Sequence, residues 1–362
     1  MASVLGRAAV ALAVASCTPP SLRVSPADPR VRREGVFDTR RMDAPRFAWS
    51  AAGATLRFRG TGLRVELTDV PNPDDTPDTD WLSVTVDAQP PRALALRRGR
   101  HVYTLAERLA PGDHVVRFRK RTEPEVGTVT LHGFELAPGG RLLAPPTRGR
   151  RLRVIGDSVS AGYGVEGAGG ACHFSAATED ATRAYAAVAS ELLGAELILA
   201  AWSGKGVVQN FAADGRETMP ALFARAIPGE PEGPRADVGP VDALVVNLGT
   251  NDYHRSLPDA GVLAARLRSL LTEAEREAAG APTVLVLTPL LADDHPRSGA
   301  RTHLRGVLAG LVAEAPTRRS LVEQYVDPRE GVGCDFHPSA RTHERLGREL
   351  AAHLTALLRP DR

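Results

Sequence analysis

Arg151-Leu152-Arg153-Val154-Ile155-Gly156-Asp157-Ser158-Val159-Ser160 is the stretch on which the reading of the chain turns. A short apolar run breaks off in Gly-Asp-Ser, the pattern of a buried strand that delivers a serine into a tight turn at the mouth of a sheet. A serine hydroxyl is a weak nucleophile at neutral pH, so it needs a base to take its proton and donors to hold the oxyanion. The same tripeptide is also an ordinary way to end a strand, with Ser or Asp capping the next helix. The decision rests on what the remaining chain supplies.

Downstream, strand-like runs at 152–155, 196–201, 243–248, 283–287 and 321–326 alternate with helical stretches at 181–193, 261–279, 298–313 and 340–358. That alternation specifies an α/β unit, a doubly wound parallel sheet covered on both faces, whose sites lie at the carboxyl ends of strands. Upstream the texture differs. From Glu34, runs such as Leu63-Arg64-Val65-Glu66-Leu67 and His114-Val115-Val116-Arg117-Phe118 alternate with period two between Gly, Pro and Asp. They specify an antiparallel β-sandwich of jelly-roll type over 34–147, and the Pro-rich stretch 143–147 sets it off from a second unit at 148–362. Residues 17–33, rich in Pro, Ser and Arg without periodicity, read as a linker.

At 362 residues, with 43% hydrophobic and 24% charged residues, the chain has the composition of a soluble globular protein with room for two units. Its net charge of +2 and scattered arginines, with Lys only at 120 and 205, form no basic stripe and argue against nucleic-acid binding. Arg7 and the small apolar run 8–15 suit an export signal and are too short to span a bilayer. The sequence Val14-Ala15-Ser16-Cys17 resembles a bacterial lipoprotein processing site, which implies removal of residues 1–16 and a lipid on Cys17; plain secretion is the alternative. Either way the expected location is outside the cytoplasm, with the membrane touched only through a lipid anchor. Lipidation of Cys17 leaves Cys172 and Cys334 as an even pair in an oxidising compartment, either bonded to each other or two free thiols.

Three stretches answer the needs of Ser158. Trp202-Ser203-Gly204-Lys205-Gly206 follows the second strand, and a glycine there offers its N–H without a side chain in the way. Gly249-Thr250-Asn251-Asp252 supplies an amide donor. Cys334-Asp335-Phe336-His337-Pro338, just before the last helix, supplies His337 as general base and Asp335 to orient its ring. Asp157 and Asp252 suit the bracing of turns through backbone N–H groups. A pattern at 162–167 matches the dinucleotide fingerprint but opens into more glycines instead of a helix. Position 160 is Ser, so the nucleophile elbow is absent. The ten histidines form no His-Glu-x-x-His pair, and Asp293-Asp294-His295 reads as a solvated turn.

These four blocks resemble those of the SGNH hydrolases, and with the preceding sandwich the chain is similar to carbohydrate esterase family 2. Arg119-Lys120-Arg121-Thr122-Glu123 and 127–134 resemble the end of that family's sandwich. The resemblance implies a flavodoxin-like three-layer fold after a jelly-roll, with Ser158 as nucleophile and His337 as base. The oxyanion hole it implies is made of the Ser158 amide, Gly204 and Asn251, with Gly206 as a substitute for Gly204. It implies neither cofactor nor metal. The substrate class is acetylated polysaccharide of xylan or glucomannan type, deacetylated by a monomeric enzyme. SGNH enzymes usually place the acid three residues before the histidine; here Asp335 is two before, and in family 2 a main-chain carbonyl can take its place. Trp202, Tyr163 and Phe336 flank the motifs and suit stacking on a sugar face. A lipase or thioesterase of the same fold, and an inactive envelope carbohydrate-binding protein, are the alternatives.

Overall fold

The computed structural model describes residues 20–72, 78–147, 149–212, 215–293 and 299–359. The first unit is a sandwich of two antiparallel sheets made from β1 (Leu22–Val24), β2 (Arg32–Glu34), β3 (Arg46–Phe47), β4 (Gly53–Gly60), β5 (Leu63–Pro71), β6 (Trp81–Val86), β7 (Arg92–Ala95), β8 (Gly99–Ala106), β9 (Gly112–Lys120), β10 (Gly127–Leu136) and β11 (Arg141–Leu143). One sheet runs β1-β10-β5-β8 with β3 on β10, and the other runs β11-β4-β9-β6-β7 with β2 on β4. Alternation does the building: along β5, Leu63, Val65 and Leu67 are buried while Arg64 between them is exposed. The inward residues of both sheets, among them Phe47, Phe58 and Phe118, form one core.

The linker expectation is corrected at its carboxyl end. Residues 22–24 pair with β10 and 32–34 pair with β4, and Val24 and Val31 enter the sandwich core. Strands of three residues are too short to show a period, so no alternation marks them. The signal segment, Cys17, Asp294 and His295 lie outside the described residues.

The second unit carries a parallel sheet of β12 (Arg150–Gly156), β13 (Ala195–Ala201), β14 (Ala243–Asn247), β15 (Thr283–Leu287) and β16 (Arg319–Glu323), in the order β13-β12-β14-β15-β16. That order is the flavodoxin-like one, with its switch point beside β12. Both faces are covered, so β14 and β15 are buried at every position and read as unbroken apolar runs. The helices are α1 (Ser158–Ala161), α2 (Tyr185–Leu192), α3 (Met219–Leu222), α4 (Ala260–Glu277), α5 (Ala300–Ala313) and α6 (Ala340–Leu357). Asp259 and Ser339 cap α4 and α6 through their side chains. On α6, Leu346, Leu350 and Leu354 recur every fourth residue and pack with α2 residues Tyr185, Ala186 and Ala189.

The two units share their interior. Trp49, from the sandwich segment, lies in the apolar core of the second unit, and its indole N–H donates to the Arg225 carbonyl at 2.8 Å. Arg46 reaches Glu230 at 2.7 Å, and Ala181 N–H donates to the Arg121 carbonyl at 3.0 Å.

Candidate active site

Strand β12 ends at Gly156 because the turn leaves no room for more: a Cβ there would stand 2.1 Å from Ser160 Oγ. Asp157 then caps α1, accepting from Val159 N–H at 3.2 Å, and Ser158 opens the helix. Full burial pushes the Asp157 carboxyl up to about 7 although its hydrogen bonds oppose that. Asp157 is thus a brace for the turn.

Ser158 Oγ lies 2.8 Å from His337 Nε2, across 179 residues of sequence. For Nε2 to accept the hydroxyl proton, the ring must carry its own proton on Nδ1. Burial lowers the His337 pKa below the ordinary 6.5, outweighing the Asp335 and Cys334 main-chain carbonyls, which favour the charged ring. The imidazole therefore stands neutral, ready to act as a base at neutral pH.

The Asp335 carboxylate does not hold His337, contrary to the sequence expectation. Its Oδ2 accepts from the Tyr163 hydroxyl at 2.7 Å and its Oδ1 meets His173 Nδ1 at 2.8 Å. The reason lies in the backbone: Asp335 and Phe336 both adopt left-handed conformations, with φ of 49° and 61°. That double turn aims the Asp335 side chain outward and leaves main-chain carbonyls beside the ring. Burial raises the Asp335 pKa, but the bonds from Tyr163 and His173 prevail and hold it below the usual value.

Tyr163 lines the pocket and has a second role beside the histidine. Its ring stacks on His337 with centroids 4.2 Å apart, so one face is covered by the imidazole and is closed to a sugar. It links Asp335 to the histidine, a role the sequence spacing did not suggest. Trp202 is largely buried, with Lys205 Nζ 4.8 Å from its ring centroid. Phe336 is 70% exposed on the pocket rim.

On the other side of Ser158, Gly204 has φ of 73°, a conformation that favours glycine. Its carbonyl accepts from Phe211 N–H at 2.8 Å. The Gly206 N–H is spent on Asn210 Oδ1 at 3.2 Å, which removes Gly206 as the substitute donor. Asn251 Nδ2 donates to the Lys205 carbonyl at 2.9 Å, and the second hydrogen of that amide remains for the pocket. The buried Asp252 accepts from the N–H groups of Val207, Val208 and Gln209, tying the loop after β13 to the loop after β14. Cys172 and Cys334 are bonded, with S–S 2.17 Å, so the His337 segment is tied to the loop after α1.

Ser158, Gly204, Asn251 and His337 line one open pocket of about 680 Å³, with Glu125 and Trp202 on its wall. Among the described residues no cluster of three His, Cys, Asp or Glu side chains could hold a metal ion. No helix of the described residues is long and apolar enough to cross a membrane.

This arrangement, a serine and histidine joined at the carboxyl end of the first strand of a 2-1-3-4-5 sheet, agrees with the family comparisons. Residues 154–345, more than half of the chain, match the GDSL-like Lipase/Acylhydrolase family, and residues 34–146 match the Carbohydrate esterase 2 N-terminal family. The chain belongs to the GDSL-like lipase/acylhydrolase family of SGNH hydrolases, and in its two units it resembles carbohydrate esterase family 2. It is 28% identical over 335 residues to the cellulase/esterase CelE of Acetivibrio thermocellus, spanning 90% of this chain and 39% of that protein. It is 25% identical to an acetylxylan esterase / glucomannan deacetylase of Cellvibrio japonicus, covering 85% of this chain and 84% of that one. A family two carbohydrate esterase from Clostridium thermocellum, solved in complex with cellohexaose, superposes with a TM-score of 0.83 at 27% identity, covering 90% of this chain and 98% of that one.

Proposed function

We propose that the chain is an exported carbohydrate esterase that removes O-acetyl groups from polysaccharides of xylan or glucomannan type. The observation that carries the reading is the 2.8 Å contact between Ser158 Oγ and His337 Nε2 inside an open pocket. Ser158 Oγ attacks the acetyl carbonyl carbon while His337 Nε2 takes its proton. The N–H groups of Ser158 and Gly204 and the free hydrogen of Asn251 Nδ2 receive the charge on the carbonyl oxygen. As the ester bond breaks, His337 returns the proton to the sugar oxygen, leaving an acetyl-enzyme. A water that gives its proton to the same nitrogen then attacks the acetyl carbon, and the bond to Ser158 breaks as His337 returns that proton to Ser158 Oγ, releasing acetate. The exposed Phe336 ring is the surface on which a sugar face would stack.

Export is supported by the sequence of residues 1–17 and by the Cys172–Cys334 bond, which suits an oxidising compartment. A lipid on Cys17 would tether the enzyme to the envelope. The test is acetate release from acetylated xylan and acetylated glucomannan, set beside a panel of esters of rising acyl length. The reading expects acetyl esters to be preferred. A preference for butyryl or longer esters would replace it with a lipase, and no turnover of any ester would make it a binding protein.

A further inference from the structure

Glu123 belongs to the sandwich, yet its carboxylate ends inside the hydrolase unit. It follows β9 in the segment leading to β10 and is fully buried. Its Oε2 accepts the main-chain N–H of Ser203, the residue immediately before Gly204. The neighbouring bonds make Glu123 a fixed point. Its own N–H donates to Glu179 Oε2 at 3.1 Å, and Glu179 is buried in the hydrolase unit. Lys120 Nζ donates to the carbonyls of Thr122 and Glu123 at 3.0 and 2.9 Å and pairs with Asp80 at 2.8 Å, all within the buried interior.

The strand β13 ends at Ala201, and beyond it the turn carrying Gly204 is held from several sides, Asn251 Nδ2 donating to the Lys205 carbonyl at 2.9 Å among them. Lys205 N–H closes the turn onto the Trp202 carbonyl at a long 3.3 Å, and Phe211 N–H holds the Gly204 carbonyl. The bond to Glu123 holds the N–H end of the peptide just before Ser203, whose carbonyl end is held by Lys205. Other contacts between the units, such as Arg46 with Glu230 and Trp49 with the Arg225 carbonyl, fasten them together without touching the pocket loops. We propose that Glu123 is a positioning residue for the oxyanion hole: by holding the Ser203 amide it sets the direction of the Gly204 N–H, which makes the sandwich a working part of the catalytic apparatus. This rests on the reading of Gly204 as an oxyanion donor.

Burial, helped by the neighbouring Glu125, pushes the Glu123 carboxyl up to about 8. What the Ser203 N–H meets is a carboxyl oxygen, and a glutamine side-chain oxygen keeps an acceptor at the same reach. An aspartate, shorter by one methylene, cannot reach the same point. The test uses Glu123→Gln and Glu123→Asp in the full chain, with steady-state kinetics on a chromogenic acetate ester, thermal unfolding, and the rate at which an organophosphonate labels Ser158. Glu123→Asp is expected to lower kcat and the labelling rate by about tenfold with KM within about twofold, since a misdirected donor loses part of the 10²–10³-fold of a deleted one. Glu123→Gln should stay within about threefold of the parent on both readouts, because the acceptor is kept. A folded Glu123→Asp protein with the parent's kcat, or a Glu123→Gln protein as impaired as Glu123→Asp, would overturn the inference. Ser158→Ala and Asn251→Ala, run alongside, separate the two levels: if both lose activity while Glu123→Asp does not, only the role of Glu123 falls. If Ser158→Ala stays active, the catalytic reading falls with it.

Discussion

The loop that carries His337 and the loop that carries Gly204 face each other across the same serine, yet they are fastened by different chemistry. The His337 segment lies near the surface, in a backbone turn with two left-handed residues, and is tied covalently by Cys172–Cys334. The Gly204 loop is tied by buried carboxyl oxygens, Glu123 on Ser203 and Asp252 on residues 207–209. The contrast suits what each loop must supply. The base has to exchange protons with water and leaving group, so its loop sits near solvent and gains order from a crosslink. The oxyanion donors have to be fixed in advance and kept dry, so their loop gains order from acceptors that would be costly to leave unpaired.

The largest expected effect falls where the two loops converge. Ser158→Ala should lower kcat on acetate esters by about 10⁴-fold or more, measured against residual turnover of the same preparation. Next comes the oxyanion side: Asn251→Ala should cost about 10²–10³ in kcat with little change in KM. Equal loss in KM alone would mean that the amide binds substrate and not the charged transition state. On the base side, reducing Cys172–Cys334 opens a link across 162 residues and should lower stability by up to roughly 5 kcal/mol, read as a shift of the denaturant midpoint. An enzyme whose midpoint and activity ignored reductant would show that the surface turn holds itself. Smaller again is Asp335→Asn. A carboxylate that directly holds a catalytic imidazole costs about 10⁴ when neutralised; here the carboxylate bonds Tyr163 and His173 in place of the ring, so the loss of kcat should be under about tenfold.

The pH profile sharpens the same contrast. His337 works as a base only when neutral, and burial lowers its pKa below 6.5. Thus kcat/KM should rise with pH through an apparent pKa below that value and stay level through neutrality. An apparent pKa above 6.5 would mean that a carboxylate partners the ring after all.

Much of this was legible from the residues alone, and the limits have physical causes. The strand at 283–287 reads correctly because burial on both faces leaves a continuous apolar run. The edge strand was expected at 321–326 but runs from Arg319 to Glu323, because only one of its sides is paired and its half-buried residues do not mark their own ends. The loops bearing Ser158, Gly204, Asn251 and His337 could be named because parallel sheets gather their sites at strand ends. The direction of Asp335 could not, since nothing in a two-residue spacing says that both residues turn left-handed. The bond from Tyr163 to Asp335 leaves no trace in the spacing, since the two lie 172 residues apart. Glu123 stands in the stretch Arg119–Glu123 that resembles the end of the family's sandwich, which says nothing of its partner, Ser203, 80 residues on.

The account rests on Ser158 forming a covalent acetyl ester at the meeting point of the two loops. Rapid acid quenching of the enzyme with an isotopically labelled acetate ester, followed by peptide mass spectrometry, tests this directly. The account predicts labelled acetyl on the peptide holding Ser158 and its absence from Ser158→Ala. Turnover with no label on that peptide, or label on a different residue, would contradict it.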